Sequence, residues 1–578
     1  MTPSQRITYN LNRSTTLICL LSFVFITCSP PKDAQLIIHN AKVYTVDETN
    51  STHEAVVSIE GRISFIGTSE EALSQASEST KIIDADGAMV IPGFIEGHGH
   101  FSGLGQSLMN LNFLRSKSWD EIVSMVEEKV KQTEPGMWII GRGWHQEKWM
   151  ERPDDHVHGY PKHYDLSAIS KDNPVLLIHA SGHGSFANEK AMEIAGITKE
   201  SVSPAGGEIV RDPQGNAIGM FEERAQGIIR NAYNAYRSQM SEEERLNEWL
   251  QGIALAEEEC LKKGVTSFQD AGSRFHEIEQ YNELAEAGEL DLRLWAMLRQ
   301  SSEEMSGDIQ PYRIIDAGNG FFTCRAIKSE LDGALGAFGA WLIEPYDDKP
   351  DFYGQNTTTT DEVAAIADIA LKNEMQLCVH AIGDRANQET LDIMEANFAK
   401  LEGSNDLRWR IEHSQHIHPD DIPRFGQLGV IASMQGIHCT SDAPFVEMRL
   451  GRQRSVEGAY NWRALLDAGA VVTNGTDAPV EDVDPIESYY ASVTRKRIDN
   501  GFEFFPENAM TREEALRSYT YSNAFAAFEE NDKGSIELGK MADFTILSKD
   551  LITCSDEEIL EAEVLYTIVD GVVKYQKN

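Results

Sequence analysis

The sequence is poor in cysteine and in basic residues. Seven cysteines are spread over 578 residues, and no two of them have the Cys-x-x-Cys spacing. This scatter argues against a disulfide framework and against a zinc site made of cysteines. Lysine and arginine total 51 against 92 aspartates and glutamates, a formal net charge of −41. Nucleic-acid binding is therefore not expected, because phosphate contacts need a basic surface.

The first 28 residues have the pattern of an export signal. Arg6 and Arg13 precede an apolar run over 17–26, which is too short to span a bilayer but suits the core of a signal peptide. The run leads to Cys28 in a sequence that resembles a bacterial lipobox, where the cysteine becomes the lipidated first residue. We expect export, with Cys28 lipidated and the chain anchored to a membrane on the periplasmic side or at the cell surface. A plain cleaved signal peptide is the alternative.

Short strands are expected at both ends of the chain, and strands alternate with helices between them. Residues 35–92 and 530–578 contain brief apolar and polar alternations separated by turn residues, which predicts one small β-sandwich built from both ends. Residues 93–529 predict an α/β fold, a (β/α)8 TIM barrel, with an insertion over about 101–250 after its first strand. The expected barrel strands are 89–100 (broken at Pro92 and Gly93), 265–268, 292–298, 324–331, 376–382, 409–413, 430–434 and 471–473.

Polar residues stand towards the carboxyl ends of five of these strands, where α/β barrels keep their chemistry. They are His98 and His100 on the first strand, Lys328 on the fourth, His380 on the fifth, His413 on the sixth and Asp477 after the eighth. Each has an ordinary alternative, such as a core histidine, a lysine with a buried stem or an aspartate that caps a helix. Their joint occurrence at one end of a barrel favours a shared site.

The stretch 91–100 resembles the Pro-Gly-Phe-x-Asp-x-His-x-His signature of the metal-dependent amidohydrolase superfamily. Further runs resemble its branch related to N-substituted formamide deformylase (amidohydrolase 3, YtcJ-like). They are 207–212, 331–336, 380–386, 410–415 and 534–543. The resemblance extends over about residues 35–575.

The resemblance implies a divalent metal centre, zinc with one or two ions per chain. The implied ligands are His98, His100, His380, His413 and Asp477, with Lys328 where the family has a lysine that can be carboxylated to bridge two metals. Imidazole and carboxylate suit Zn²⁺, whereas a lysine cation cannot ligate, so a ligand role for Lys328 requires the carbamate or a lowered pKa. Asp477 is the implied catalytic residue, which takes a proton from the attacking water and delivers it to the leaving nitrogen.

Some positions depart from the family pattern. Glu96 replaces the aspartate of the first signature, Phe338 replaces an arginine, and residues 179–183 lack an arginine and an acid of the family motif. These changes concern substrate specificity and leave the implied ligands intact. The candidate substrate contacts are His183, Asp332, Asp384 and His438, the last with Gln435 three residues before it.

The sequence therefore predicts an amidohydrolase that cleaves a non-peptide carbon–nitrogen bond, in an amide, an N-formyl group or a cyclic amide, by metal-activated water. Deamination or ester hydrolysis on the same site is an alternative within the superfamily. An alternative of another class is a lipid-anchored binding protein without turnover. A carbohydrate-active barrel is a weaker enzyme alternative, because it would need paired carboxylates in place of these histidines. The expected partner is a small-molecule substrate, and a homo-oligomer remains open.

Overall fold

The computed structural model describes residues 33–577 apart from 114, 115, 145, 147, 148, 151, 152, 180–183, 205, 206, 337 and 404. The predicted signal peptide with Cys28 lies outside the described residues, and so does His183. No helix in the described part of the chain is long and apolar enough to cross a membrane.

The described part of the chain begins with seven short strands and one helix. They are β1 (Leu36–His39), β2 (Lys42–Tyr44), β3 (Thr52–His53), β4 (Ala55–Ile59), β5 (Arg62–Gly67), α1 (Ser69–Leu73), β6 (Lys81–Asp84) and β7 (Met89–Pro92). The sheet β5-β4-β1-β6 forms one layer of a sandwich. The apolar residues of β1 and β4 are buried, which is why this short segment folds as paired strands.

The first barrel strand follows, and then the insertion. The elements are β8 (Phe94–Gly99), α2 (Phe101–Met109), β9 (Leu111–Asn112), α3 (Trp119–Val130), β10 (Ile139–Trp144), β11 (His156–Val157), β12 (Tyr160–Pro161), α4 (Tyr164–Ile169), β13 (Val175–His179), β14 (Gly184–Ala187), α5 (Glu189–Ile194), β15 (Gly207–Arg211), β16 (Ala217–Glu223) and α6 (Gln226–Arg237). Most of the insertion strands form one mixed sheet in the order β15-β16-β14-β13-β10-β9.

The rest of the barrel alternates strands with helices. The elements are α7 (Glu242–Lys262), β17 (Val265–Ser273), α8 (Phe275–Ala287), β18 (Arg293–Leu298), β19 (Ile314–Asp316), α9 (Ala317–Gly320), β20 (Phe322–Glu330), α10 (Thr360–Lys372), β21 (Gln376–Ala381), α11 (Asp384–Phe398), β22 (Arg410–His413), α12 (Ile422–Leu428), β23 (Ile431–Gln435), α13 (Gly436–Ser441), α14 (Ala443–Gly458), α15 (Trp462–Asp467), β24 (Val472–Gly475), α16 (Pro485–Thr494), α17 (Arg512–Ser518) and α18 (Tyr521–Ala526). Two short 3₁₀ turns lie at Gln310–Tyr312 and Pro506–Asn508.

The chain ends with β25 (Phe544–Leu547), α19 (Asp556–Ile559), β26 (Val564–Val569) and β27 (Val572–Gln576). β25 pairs antiparallel with β7, so strands from both chain ends share the sheet β27-β26-β25-β7-β2-β3. The predicted sandwich of both chain ends is therefore present.

Eight parallel strands form the barrel, in the order β24-β23-β22-β21-β20-β18-β17-β8. The first and last strands meet at a seam, where the N–H of His100 donates to the carbonyl oxygen of Ala478 at 2.7 Å. The predicted TIM barrel is confirmed. Because the carboxyl ends of parallel strands meet at one rim, residues that end different strands come together there.

The expected first strand is in fact two strands in two sheets. β7 belongs to the sandwich and β8 to the barrel, and Gly93 separates them. A Cβ at Gly93 would lie 2.1 Å from Thr266 Oγ1, so the chain passes too close to β17 for any side chain.

The insertion leaves and rejoins the barrel through α2 and α7. The two helices touch at glycines, where a Cβ on Gly105 would lie 2.2 Å from the carbonyl oxygen of Gly252. The start of α7 is stabilised by a capping box between Ser241 and Glu244. The two side chains accept hydrogen bonds from backbone N–H groups that have no partner within the helix. α2 begins directly after His100, so this packing also fixes the start of the rim.

Candidate metal centre

The first and last strands bring three side chains together at the rim. Asp477 has a left-handed backbone (φ 59°), and its N–H donates to the carbonyl oxygen of His98 at 2.7 Å. This contact turns the carboxylate towards two imidazoles. Asp477 Oδ1 lies 3.3 Å from His100 Nε2 and 3.6 Å from His98 Nε2. These three side chains could hold one ion.

Histidines from the neighbouring strands continue the cluster. His413 ends β22, and its ring centroid lies 4.7 Å from that of His98 and 4.4 Å from that of His380 on β21. His438 lies on α13, after β23. One nitrogen each from His413 and His438 and one oxygen of Asp477 lie within 4.8 Å of one another, which makes a second possible ion-binding group.

Hydrogen bonds at Nδ1 decide which nitrogen of each imidazole keeps a free lone pair. His98 Nδ1 contacts the carboxylate of Glu412, and His413 Nδ1 lies 2.7 Å from Gln435 Oε1. Both partners are acceptors, so each Nδ1 carries the hydrogen and each Nε2 is left with its lone pair. His98 and His413 are thus oriented to bind a metal through Nε2.

His438 has the opposite arrangement. Its Nδ1 lies 3.2 Å from the amide nitrogen of Gln415, which is a donor. Nδ1 therefore accepts, and the ring hydrogen stands on Nε2. An N–H donor suits a carbonyl or carboxylate oxygen and does not suit a cation. This tautomer does not favour a metal-ligand role for His438, and the predicted substrate contact stays a prediction.

A buried ion pair stands behind His98. Arg410 Nε donates to Glu412 Oε1 at 2.7 Å, and neither side chain is exposed. Arg410 also donates to the carbonyl oxygen of Gly97 at 2.8 Å, so it ties β22 to β8 across the barrel interior. Burial alone would raise the pKa of the Glu412 carboxyl, but Arg410 and His98 hold it well below its usual value. Glu412 therefore presents a full negative charge to His98 Nδ1.

Lys328 lies in the same interior, on β20. Its side chain is buried and makes no hydrogen bond or ion pair with the residues that the structure describes. Burial lowers the pKa of the Lys328 ammonium, against the opposing influence of Glu412 and Asp477. The structure thus places this lysine in the wall of the site, as a buried amine without a partner.

The donor atoms of the cluster fit a divalent metal. Among the described residues, His98 Nε2, His380 Nε2 and Asp477 Oδ1 are buried without a hydrogen-bond partner. Buried polar atoms normally have partners, so a set of orphaned atoms in one place calls for an explanation. Imidazole nitrogens and a carboxylate oxygen are the ligands that Zn²⁺ takes. Metal ions bound in the cluster would give these atoms partners.

The charge state of the cluster agrees with this chemistry. Burial would raise the pKa of the Asp477 carboxyl, but the adjacent imidazoles of His100 and His98 hold it well below its usual value. Burial lowers the pKa of His98 to about 4 and that of His380 to about 3. Near neutral pH the site therefore offers an ionised carboxylate and neutral imidazoles, which are the forms that bind metals.

Glu96, the departure from the family signature, belongs to the seam of the barrel. Its Oε1 accepts from the backbone N–H of Thr476 at 2.6 Å, and its Oε2 accepts from Thr476 Oγ1 at 3.1 Å. A Cβ at Gly475 would lie 2.4 Å from Glu96 Oε1, so glycine leaves the room that this carboxyl occupies. Burial raises the pKa of Glu96 to about 8. Glu96 therefore joins the first and last strands just below the cluster.

Two of the predicted substrate contacts, Asp332 and Asp384, are bonded to backbone groups. The Asp332 carboxylate is wholly buried and accepts three backbone N–H groups, those of Trp341, Ile382 and Gly383. It shapes the loops beside His380, whose Nε2 lies 3.6 Å from Asp332 Oδ1. Asp384 accepts the N–H of Ile343 at 2.9 Å and lines a separate cavity of about 300 Å³. Backbone donors that are distant in sequence therefore hold both carboxylates, and a substrate contact at either position stays a prediction.

A cavity of about 350 Å³ opens onto the cluster. Its wall includes His100, Lys328, His380, His413, His438 and Asp477, together with Arg299, Glu330, Leu335, Gln415, Asp442, Phe445 and Glu481. Phe338 is not part of this wall and packs under the guanidinium of Arg449, which lies 3.9 Å from its ring centroid. The cavity is large enough for a small molecule.

Sequence reasoning did not assign roles to Arg410, Glu412 and Gln415, and it took Gln435 for a substrate contact. Arg410 and Glu412 stand two apart on one strand, a spacing that places both side chains on the same face. An ion pair between Arg410 and Glu412 on the inward face could therefore have been predicted from the sequence. Gln415 and Gln435 gave no such signal, because their partners come from other strands and helices.

Comparisons with known proteins agree with the geometry. The model of a family described as amidohydrolase matches residues 81–575. An N-substituted formamide deformylase of Arthrobacter pascens is 28% identical over 560 residues, which cover 94% of this chain and 98% of that protein. YtcJ of Bacillus subtilis (strain 168), which bears the name of an amidohydrolase, is 29% identical over 555 residues, 93% of this chain and 99% of its own length.

A solved structure has the same fold. It is an uncharacterized metal-dependent hydrolase from Pyrococcus furiosus, with a TM-score of 0.70 and 27% identity, over 90% of this chain and all of that one.

Proposed function

We propose, from the premise that this chain belongs to the amidohydrolase family, that it hydrolyses a non-peptide carbon–nitrogen bond of a small molecule. The bond would lie in an amide, an N-formyl amine or a cyclic amide. The observation that carries the proposal is the set of orphaned donor atoms at the rim, His98 Nε2, His380 Nε2 and Asp477 Oδ1. The relative named N-substituted formamide deformylase supports the inclusion of N-formyl amines.

The metal is proposed to be zinc, held by His98, His100, His380, His413 and Asp477. A bound Zn²⁺ would supply Lewis acidity, which polarises a carbonyl group and makes a water acidic near neutral pH. Glu412 and Gln435 orient two of the imidazoles from behind, at His98 and His413. Groups of this kind usually matter for metal affinity nearly as much as the ligands.

The other steps fall to residues of the chain. Asp477 is ionised and can take a proton from the attacking water, then deliver it to the leaving nitrogen. His438 Nε2 carries a hydrogen that no described residue accepts, so it can donate to the substrate's carbonyl oxygen. Donors of this type stabilise the negative charge that develops on that oxygen.

Lys328 is proposed to act as a carbamate. A carboxylated lysine is an anion with two oxygens and can bridge two metals, whereas the ammonium form repels them. In favour of this, the side chain is buried beside the cluster and lacks an ion-pair partner among the described residues. The proposal thus predicts two metal ions per chain with the carbamate, and one without it.

The first test measures metal content and activity together. The protein is purified without chelator in the presence of bicarbonate, and zinc is counted for the parent, Lys328→Ala and Lys533→Ala. Lys533 is a matched control, because it is also buried but donates to Ser267 Oγ at 2.9 Å and does not line the cavity. Activity is assayed on N-formyl and N-acyl amines.

We expect about two zinc ions in the parent and in Lys533→Ala, with a joint loss of zinc and activity in Lys328→Ala. About one ion, unchanged by Lys328→Ala, would rule out the bridge and make deamination the next reaction to assay. Protein that binds no zinc would overturn the catalytic proposal.

We further propose export with a lipid anchor at Cys28. The support is the arrangement of Arg6, Arg13, an apolar run over 17–26 and Cys28. In a bacterial host, labelled palmitate should enter the parent protein, and Cys28→Ala should remove the label and release the chain from the membrane fraction. Release without a change in label would refute the anchor.

A further inference from the structure

The charges around the cavity are unequally distributed. On one side, Arg299 forms an ion pair with Glu330, so their charges largely cancel. On another side stand two carboxylates, Asp442 and Glu481. Neither makes an ion pair with a lysine or arginine of the described chain. This side therefore presents two carboxyl groups that no basic side chain of the described residues neutralises.

Both carboxylates are tied to residues of the metal centre. Asp442 follows His438 by one helical turn, and its N–H donates to the His438 carbonyl oxygen at 2.9 Å. Glu481 comes four residues after Asp477, just beyond a turn in which the N–H of Val480 donates to the Asp477 carbonyl oxygen at 2.8 Å. A substrate bound at the metal centre would thus reach both carboxylates.

The wall between them holds an unpartnered polar group. His438 is only 6% exposed, and its Nε2 has no hydrogen-bond partner among the described residues. Since Gln415 donates to Nδ1, this Nε2 is a donor without an acceptor, on a residue that lines the cavity. A ligand that satisfies the whole wall needs an acceptor oxygen for His438 and a cation for the two carboxylates.

The carboxylates are also held in place. Tyr460 Oη donates to Asp442 Oδ2 at 2.5 Å, which leaves Oδ1 for another partner. Burial raises the pKa of both Asp442 and Glu481, against the opposing influence of His438 and of hydrogen bonds from Tyr460 to Asp442 and from Ser441 to Glu481. A cation brought by a ligand would stabilise the ionised form of both groups. Leu335 and Phe445 add apolar surface to the same cavity.

We infer that Asp442 and Glu481 form a subsite for a cationic group of the substrate, next to His438. The favoured substrates are amides or N-formyl amines that carry a second, positively charged nitrogen. The inference rests on the proposed function, because it takes the reacting bond to lie at the metal centre. Opposite charges that meet in a partly desolvated site contribute to affinity and to specificity.

The test compares two probes of nearly equal size, N-formyl-1,4-diaminobutane and the neutral N-formylpentylamine. The zinc-loaded full chain should show a higher kcat/KM for the cationic probe. Glu481→Gln and Asp442→Asn should lower this preference about tenfold each, mainly through KM. A matched pair with the charge on the acyl side, the benzylamides of 5-aminopentanoate and hexanoate, shows which half of the substrate the subsite holds.

Asp482→Asn is the matched control. It removes the same charge from the next residue, but Asp482 points to Lys263 at 3.5 Å and does not line the cavity. It should leave the preference unchanged. Glu481→Lys should shift the preference towards the anionic probe N-formyl-4-aminobutanoate, an effect that a merely structural role of Glu481 would not produce.

The outcomes separate the two proposals. Turnover of both probes with equal or greater preference for the neutral one overturns the subsite and leaves the hydrolase. If no probe is turned over, calorimetry with N-acetyl-1,4-diaminobutane decides: binding that Glu481→Gln weakens supports the subsite while the proposed reaction fails. Absence of both turnover and binding overturns both.

Discussion

Replacement of Glu412 by glutamine tests whether the buried ion pair sets up the metal centre. The substitution keeps the size and one acceptor oxygen but removes the charge that Arg410 and His98 share. Arg410 would then be a buried cation without a counter-ion. Breaking a buried pair in this way costs about 3–5 kcal/mol. We expect a loss of this size in the free energy of unfolding of the metal-free protein, measured in urea.

The same substitution should weaken metal binding by about 10- to 100-fold, since the partner of a ligating histidine raises its basicity and holds its ring. Zinc affinity is measured by competition with a chromophoric chelator. The double variant Arg410→Met/Glu412→Gln separates the two effects. It removes the unpaired charge, so its loss of stability should be smaller than the sum of the single losses by about 1–3 kcal/mol.

Zinc affinity, in contrast, should stay low in the double variant, because His98 still lacks its carboxylate. Strictly additive stability losses would refute the ion-pair argument. Unchanged zinc affinity in Glu412→Gln would show that Glu412 does not prepare His98 for the metal.

Two further predictions concern the frame around the site. Gly475→Ala should lower the free energy of unfolding in urea by several kcal/mol, because the new Cβ would lie 2.4 Å from Glu96 Oε1 and 2.7 Å from the backbone nitrogen of His98. Gly227→Ala, with nothing within 4 Å, is the control, and equal stability of the two variants would contradict the packing argument. Burial raises the pKa of Glu257 to about 7 from 4.5. Its contribution is therefore fully present below pH 4.5 and is lost as the pH rises through 7, by roughly 3 kcal/mol. Glu257→Gln should lack this fall between pH 4.5 and 7, and parallel curves for parent and variant would disprove the shift.

Local sequence patterns predicted the barrel strands well. Apolar runs such as 376–382 and 430–434 are buried on both faces, and the alternation with amphipathic helices leaves few other folds. At residues 89–100 the expected break at Pro92 and Gly93 separates two strands that belong to two sheets. Gly93 lies between the two strands and closely approaches Thr266 of β17. This contact joins residues that are far apart in the sequence.

By itself, the sequence determined which chemistry could gather at the rim. His98, His380, His413 and Asp477 end strands or follow them directly, and strand ends in a parallel barrel meet whatever the details of packing. Residue type and position along the strand are local properties, so they can be read from the chain.

Only the tertiary structure decided what each group does there. His98 and Glu412 are 314 residues apart, yet their contact sets the free lone pair of His98. Gln415 gives His438 the opposite tautomer, and the Asp332 carboxylate accepts backbone N–H groups from residues 9 and 51 positions away. Such roles depend on which atoms come into contact between strands. The spacing of residues along the chain does not predict these contacts.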